Sequence, residues 1–169
     1  MIRELLFKSI DNNTTRLIEL VGKLTPEQLQ LRIAGKWSIA EQLEHIILTD
    51  QVVGLLLLQD PFSKAETDTV IGQERLEKII VTLRLRKVMA PDVLQPKGTI
   101  KTFEAFREQF TKQRESFKQT VVDGRIVLNS STHKHPYLGE MTVIDWYHFI
   151  PLHAQRHLEQ IQEILAFKK

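Results

Sequence analysis

Two histidines stand four residues apart in the segment from Thr142 to Leu165, within the run His-Ala-Gln-Arg-His. On an α-helix, residues four apart lie on the same face, separated by roughly 40° around the axis. His153 and His157 therefore share one face, and an apolar stripe falls within roughly 80° of His153 on the same helix. Both imidazoles are predicted to point into the protein. The apolar residues of this stripe are Trp146, Phe149, Ile150, Ile161 and Ile164.

Two neighbouring buried imidazoles favour a metal ion over a proton. Burial and like charge each disfavour the cationic ring, whereas neutral imidazole nitrogen is a good ligand for a divalent metal. The alternative is that one histidine is a hydrogen-bonded core residue and the other lies at the boundary. Because the chain contains no cysteine, any metal must be held by histidine and carboxylate, and a cysteine nucleophile is excluded.

Length and composition indicate one globular domain covering residues 1–169. Hydrophobic residues make up 42% and charged residues 26%, which is ordinary for such a domain. The net charge of +2 is too small to indicate nucleic-acid binding. The dense basic cluster Arg84, Arg86 and Lys87 is interpreted as a solvated surface.

Neither a signal peptide nor an apolar run of about 18 residues is present, so we expect a cytoplasmic enzyme or binding protein without a membrane partner.

The first two long helices are predicted from apolar residues at helical spacing. The first covers residues 2–24 and carries Asn13 inside its stripe, either as a buried polar group with partners or as a pocket residue. The second runs from Ile39 to Leu58 and follows a capping box formed by Ser38 and Glu41. On this helix His45 lies roughly 140° from the centre of the apolar face, which by itself gives poor support for a ligand.

Two further long helices are predicted in the second half of the chain. The third follows Thr102 and ends at Asp123-Gly124. The fourth is capped by Thr142, and Pro151 is expected to kink it just before His153. Residues 59–101 are predicted to be a long crossover containing a short helix over 73–80, and residues 125–139 an irregular connection. These elements predict an all-α four-helix bundle, in which the crossover lets the helices on either side of it run parallel.

Several segments resemble those of the DinB/YfiT-like proteins. Trp37 to Ile46 is similar to their Trp-Ser-x-x-Glu-x-Leu-x-His segment, and His135 to Thr142 to their His-Pro-x-x-Gly-x-x-Thr segment. Asp145-Trp146 and then His153 to Ile161, similar to their His-x-x-Arg-His-x-x-Gln-Ile, follow in the same order. The resemblance therefore covers nearly the whole chain.

The resemblance implies an up-down-down-up bundle with a three-histidine metal site, and it implies a homodimer. The ligands map onto His45, His153 and His157. Under this mapping His45 faces the groove between helices, against its position on the helical wheel.

Three imidazoles leave coordination positions open, which is typical of a catalytic site and not of a closed structural one. Such a site can lower the pKa of a bound water or favour the thiolate of a bound thiol. Zinc or nickel is expected, and manganese and iron also tolerate these ligands. Relatives of known activity activate a low-molecular-weight thiol for transfer or isomerisation, and others are described as hydrolases. We therefore expect a thiol S-transferase or hydrolase acting on a small molecule; the alternative is a non-catalytic stress protein that binds a metal or small ligand.

Other polar residues are candidates for supporting roles. Glu41, one turn before His45, and Gln160 could orient the imidazoles, with an ordinary helix position as the alternative for each. His135 could line the mouth of the pocket or lie in solvent. His135 and Glu41 are thus the candidate catalytic residues. The remaining two histidines are left out of the site; one of them, His148, points roughly 140° away from His153.

Overall fold

The computed structural model describes residues 1–83 and 89–168, and the fold is mostly helical. The basic cluster Arg84, Arg86 and Lys87 lies outside the described residues. All four predicted long helices are confirmed, although the first ends earlier than expected. Their bounds are α1 Ile2–Val21, α3 Ile39–Leu57, α5 Phe103–Val122 and α6 Val143–Phe167, with a short α2 at Pro26–Leu29.

Side-chain caps begin four of these helices, three of them at the predicted residues Ser38, Thr102 and Thr142. The hydroxyl of Ser38 accepts a hydrogen bond from the Glu41 N–H, and the Glu41 carboxylate accepts one from the Ser38 N–H. Reciprocal capping boxes of the same kind start α2 at Thr25 and α6 at Thr142, and Thr102 caps α5. Each cap satisfies backbone donors that the first helical turn leaves free, which fixes where the helix begins.

The long helices bury two apolar clusters. α1 and α3 each pack against both α5 and α6. The first cluster combines the first halves of α1 and α6 with the second halves of α3 and α5, as shown by Leu6, Ile10, Val53, Leu57, Phe117 and Tyr147. The second combines the opposite halves, as shown by Leu17, Val21, Leu43, Ile46, Phe106, Phe110, Leu158 and Ile161.

A buried polar group lies on the helix segments between the two clusters. Arg114 donates from Nε to Asp50 Oδ2 at 2.6 Å and from Nη1 to Asn13 Oδ1 at 3.2 Å. Arg114 and Asp50 are each only 1% exposed. Asn13 is therefore a buried polar residue with a partner, which decides between the two alternatives left by the sequence.

The connection before α6 is a hairpin, so the prediction of an irregular stretch was wrong there. β2 (Ser131–His135) pairs antiparallel with β3 (Gly139–Thr142), and the short β1 (Ser63–Lys64) pairs with the other edge of β2. Gly139 has φ of 78°, which suits glycine at the end of a three-residue hairpin loop. The strands lack the alternating apolar residues by which strands are recognised in a sequence.

The crossover between α3 and α5 is folded against the long helices. It contains α4 (Gln73–Glu77), a π-helical turn (Lys78–Thr82) and a 3₁₀ turn (Asp92–Leu94), so the short helix predicted over 73–80 is confirmed in its first part. The Asp145 carboxylate accepts hydrogen bonds from the backbone N–H groups of residues 70–72, which ties the crossover to α6. Among the described helices, none combines the length and the apolar character needed to cross a membrane.

Candidate metal centre

His45, His153 and His157 converge between α3 and α6. Their candidate ligand nitrogens all lie within 4.8 Å of one another, and the Nε2 atoms of His45 and His153 are 3.2 Å apart. The three ring centroids are separated by 4.7 to 5.0 Å. The structure therefore brings together the three residues that the sequence resemblance singled out.

The crossover explains why the helical wheel gave poor support for His45. α3 contacts the 3₁₀ turn of the crossover in addition to α5 and α6, so it is covered on more than one side. His45 is only 5% exposed, although it lies away from the main apolar face of its helix.

Two of the three imidazoles are oriented by oxygen atoms. His45 Nδ1 lies 2.8 Å from the carbonyl oxygen of Leu94, and His157 Nδ1 lies 3.2 Å from Gln42 Oε1. Because each oxygen accepts a hydrogen bond, each Nδ1 carries the ring proton in the neutral form. The Nε2 atoms of His45 and His157 then present lone pairs, as a metal ligand requires.

His153 supplies a test of whether a metal fits. Its Nδ1 is buried without a hydrogen-bond partner among residues 1–83 and 89–168, and its Nε2 faces the Nε2 lone pair of His45. In a metal-free site, His153 has two neutral forms. If its proton is on Nδ1, the Nε2 lone pairs of His45 and His153 face each other. If its proton is on Nε2, that atom donates to His45, and the Nδ1 lone pair is left without a donor. Two nitrogens bound tetrahedrally to one zinc ion at about 2.0–2.1 Å lie roughly 3.3 Å apart. The observed 3.2 Å therefore fits a shared divalent cation.

The electrostatic surroundings keep the rings neutral. Burial, followed by the charges of His157 and His45, holds the pKa of His153 well below its usual value. Burial, followed by the charge of His45, similarly lowers the pKa of His157. Burial also lowers the pKa of His45, although the hydrogen bond to Leu94 acts in the opposite direction. Neutral imidazole is the form that binds a metal.

Aromatic rings line two sides of the cluster. The Trp37 ring lies 4.8 Å from the His45 ring, and Phe149 stacks on His153 at 5.4 Å with an interplanar angle of 17°. His45 and His157 are buried, whereas His153 is half-buried. His153 is therefore the most exposed of the three residues, although its Nδ1 atom is buried.

His135 lies close to the cluster but outside it. Its ring is 5.3 Å from the rings of both Trp146 and Phe149, and Phe149 separates it from His153. His135 Nδ1 accepts hydrogen bonds from the N–H groups of Tyr137 and Leu138, each at 3.1 Å. Burial lowers the pKa of His135 to about 4. The ring is therefore neutral at pH 7 and carries its proton on Nε2.

The remaining two candidates for supporting roles, Glu41 and Gln160, differ in whether they contact the cluster. The Glu41 carboxylate accepts from Ser38 N at 2.6 Å and lies 3.4 Å from Arg32, so its observed contacts are those of a helix cap. The Gln160 side chain accepts a hydrogen bond from His157, which acts to raise the pKa of that ring, so Gln160 does contact one imidazole of the cluster.

Sequence reasoning missed the two groups that hold Nδ1. Gln42 stands three residues before His45, which is a helical neighbour position and could have been noticed. The Leu94 carbonyl has no such signal, because every residue type carries the same backbone oxygen. The two histidines left out of the site also lie outside the cluster: His133 is in β2, opposite Met141, and His148 is half-buried on α6.

Comparison with known proteins identifies the family. The family model described as the DinB superfamily matches residues 9–161, a range that includes all three histidines. The chain belongs to the DinB superfamily. This DinB-superfamily protein is also 32% identical over 152 residues to the uncharacterized protein YuaE of Bacillus subtilis (strain 168), covering 86% of this chain and 88% of that protein. The family resemblance found in the sequence is thus confirmed, and a three-histidine cluster capable of binding a metal is present.

Proposed function

We propose that this DinB-superfamily protein is a metal-dependent enzyme whose divalent cation is held by His45, His153 and His157. The observation that carries the proposal is the convergence of three neutral imidazoles, with their ligand nitrogens within 4.8 Å. Three protein ligands leave coordination positions for a further ligand.

The protein residues supply orientation and exclude water. The Leu94 carbonyl and Gln42 Oε1 hold the rings of His45 and His157, and Nε2 of His45 faces Nε2 of His153. Trp37 and Phe149 shield two sides of the cluster. His135 offers a fixed N–H donor one aromatic ring away and is too weak a base to accept a proton near pH 7.

The reaction that fits these features is activation of a small nucleophile. A divalent cation in this position supplies a Lewis acid that favours the thiolate of a low-molecular-weight thiol or lowers the pKa of water. The proposal is therefore a thiol S-transferase acting on a small electrophile, or a related hydrolase. Zinc and nickel suit the imidazole ligands best, with manganese and iron as further candidates.

The proposal also includes the directions of the four long helices, a homodimer and a cytoplasmic location. The four long helices are inferred to run up-down-down-up. In each apolar cluster, one half of α1 and of α6 packs with the opposite half of α3 and of α5, which supports α1 and α6 running in one direction and α3 and α5 in the other. A homodimer is supported by exposed apolar side chains at the start of α1 and the end of α3, and a cytoplasmic location remains the expectation. Light scattering after gel filtration tests the homodimer. The exposed residues are Ile2, Leu5, Leu55 and Leu58.

A second candidate function is a non-catalytic protein that binds a metal or small ligand during stress. The observation favouring it is that, within residues 1–83 and 89–168, histidines supply every candidate ligand of the cluster, while the Glu41 carboxylate is engaged in a helix cap. Such a site can bind a metal without offering a free carboxylate that accepts a proton during turnover.

Turnover separates the two candidates. Untagged wild-type protein is loaded in turn with zinc, nickel and manganese, and is assayed against a panel of low-molecular-weight thiols with small electrophiles and of hydrolysable esters. The enzyme proposal predicts activity that His153→Ala abolishes and that His148→Ala retains, since His148 lies outside the cluster. Equal background rates for wild type and His153→Ala with every metal would contradict catalysis, and metal binding without turnover would support the binding protein.

A further inference from the structure

A buried carboxylate stands directly beside the first candidate ligand. Glu44 precedes His45 on α3 and is only 4% exposed. Its two carboxylate oxygens accept hydrogen bonds from three consecutive backbone N–H groups of the crossover, those of Lys97, Gly98 and Thr99, at 2.8, 2.9 and 3.0 Å. A buried carboxylate needs such donors, because it would otherwise lose its hydration without compensation.

The same crossover segment also holds the neighbouring histidine. Leu94, three residues before Lys97, places its carbonyl oxygen 2.8 Å from His45 Nδ1. Two consecutive residues of α3 therefore form hydrogen bonds with one short segment of the crossover. Glu44 accepts hydrogen bonds from residues 97–99, and His45 donates one to Leu94.

The backbone conformation of residues 97–99 suits their hydrogen bonds to Glu44. Residues 97–99 are exposed, and Gly98 adopts φ of 78°, a conformation that presents successive N–H groups to one carboxylate. A carbonyl fixes an imidazole tautomer only if it stays within hydrogen-bond distance of Nδ1. The hydrogen bonds of Glu44 hold the residues that follow Leu94 and so help to hold its carbonyl oxygen at His45 Nδ1.

We propose that Glu44 is a positioning residue of the metal centre. By anchoring residues 97–99 it keeps the Leu94 carbonyl on His45 Nδ1, so that metal binding at Nε2 and docking of this segment stabilise each other. The inference rests on the proposed metal site, and it gives the crossover a role in that site. Because coupling between two equilibria is reciprocal, loss of the anchor must weaken metal binding, and the metal must protect the anchored segment.

Metal affinity provides the first test. In Glu44→Gln, an amide NH₂ replaces one carboxylate oxygen and faces backbone donors, so at least one of the three hydrogen bonds is lost. We expect the Kd of the folded protein for Zn²⁺ to rise roughly tenfold or more, in the range found when groups that orient metal-binding histidines are removed. The matched control is Asp145→Asn, because Asp145 binds residues 70–72 in the same way but holds no ligand partner. Its Kd is expected to stay within about twofold of wild type.

A second pair of variants tests the proposal in case Glu44→Gln does not fold. The Thr99 side chain also hydrogen-bonds to Glu44, and Thr99 is exposed. Thr99→Val is therefore expected to weaken Zn²⁺ binding by a smaller factor than Glu44→Gln while leaving the fold intact. Thr111→Val, at an exposed position on α5, is its control and should bind Zn²⁺ like wild type.

Hydrogen exchange and the His45 tautomer distinguish positioning from a merely structural role. Zn²⁺ is expected to slow exchange of the amides of residues 97–99 in wild type and in Asp145→Asn, but not in Glu44→Gln. In metal-free protein, ¹⁵N NMR is expected to show the Nδ1–H tautomer of His45 in wild type and a mixture of tautomers in Glu44→Gln.

The possible failures are separable. If wild type binds no Zn²⁺ or other offered metal, the proposed function fails, and the tautomer measurement still tests Glu44 in the metal-free protein. An unchanged His45 tautomer in Glu44→Gln overturns the positioning role. Equal weakening of Zn²⁺ binding by Glu44→Gln and Asp145→Asn overturns it as well, because both would then act through general stability.

Discussion

His45 and His153 are 108 positions apart in the chain, and their Nε2 atoms lie 3.2 Å apart. His45 is turned by the Leu94 carbonyl so that its Nε2 lone pair points at His153. This pair therefore joins α3 to α6 through a nitrogen–nitrogen contact whose length suits a shared divalent cation.

The first prediction concerns metal content. We expect untagged wild-type protein to retain about one divalent ion per chain, and His45→Ala, His153→Ala and His157→Ala each to lose most of it, since two imidazoles bind far more weakly than three. Elemental analysis after dialysis against zinc, nickel, manganese or iron measures this. His148→Ala is the matched control and should retain the wild-type content. A chain that stays metal-free with every ion offered would contradict the proposed centre.

The second prediction concerns the side chain that orients His157. Gln42→Leu keeps a buried side chain of similar size but removes the oxygen that holds His157 Nδ1. We expect metal affinity to fall roughly tenfold, because the ring loses its fixed orientation and tautomer. Competition with a chromophoric chelator measures the Kd. Gln113→Leu on α5 makes the same chemical change away from the cluster and should leave the Kd unchanged; parallel losses in both variants would argue against the orienting role.

The third prediction concerns the buried ion pair. Asp50→Ala leaves Arg114 charged and without its carboxylate partner at a position that is 1% exposed. Such a loss is expected to reduce the free energy of unfolding by about 3–5 kcal/mol, whereas the double variant Asp50→Leu with Arg114→Met should cost much less. Urea unfolding at equilibrium measures both. If the cost of the double variant equals the sum of the costs of Asp50→Leu and Arg114→Met measured singly, the pair is not coupled.

The fourth prediction concerns pH. Burial lowers the pKa of His135 to about 4, below its ordinary value of 6.5. Between these values the unfolded chain binds the proton and the folded chain does not, so the free energy of unfolding falls as pH drops from about 6.5 towards 4. Urea unfolding at several pH values should show a shallower decline for His135→Gln than for wild type. Parallel slopes for the two proteins would show that His135 titrates normally in the fold.

Much of the helical framework follows from local sequence. Ser38, Thr102 and Thr142 mark three helix starts because a capping hydroxyl and the N–H three residues later lie within one turn of chain. The His153 and His157 pair is equally local, because four residues on a helix always return to the same face.

Other features depend on contacts between distant parts of the chain. His45 lies off the apolar face of its own helix and is buried because the crossover covers it. The hairpin of β2 and β3 was missed because its short strands are recognisable by their pairing and not by their composition. Asn13 could not be assigned until Arg114, 101 positions away, was placed beside it.

The amino-acid sequence by itself determined the four long helices, the family and the three histidines that resemble its metal ligands. The tertiary structure decided that these imidazoles meet, and that Leu94 and Gln42 orient two of them. The physical reason is distance along the chain. Helix caps and helix faces are set by interactions within a few residues, whereas the orientation of a ring depends on which oxygen the packed fold brings to its nitrogen.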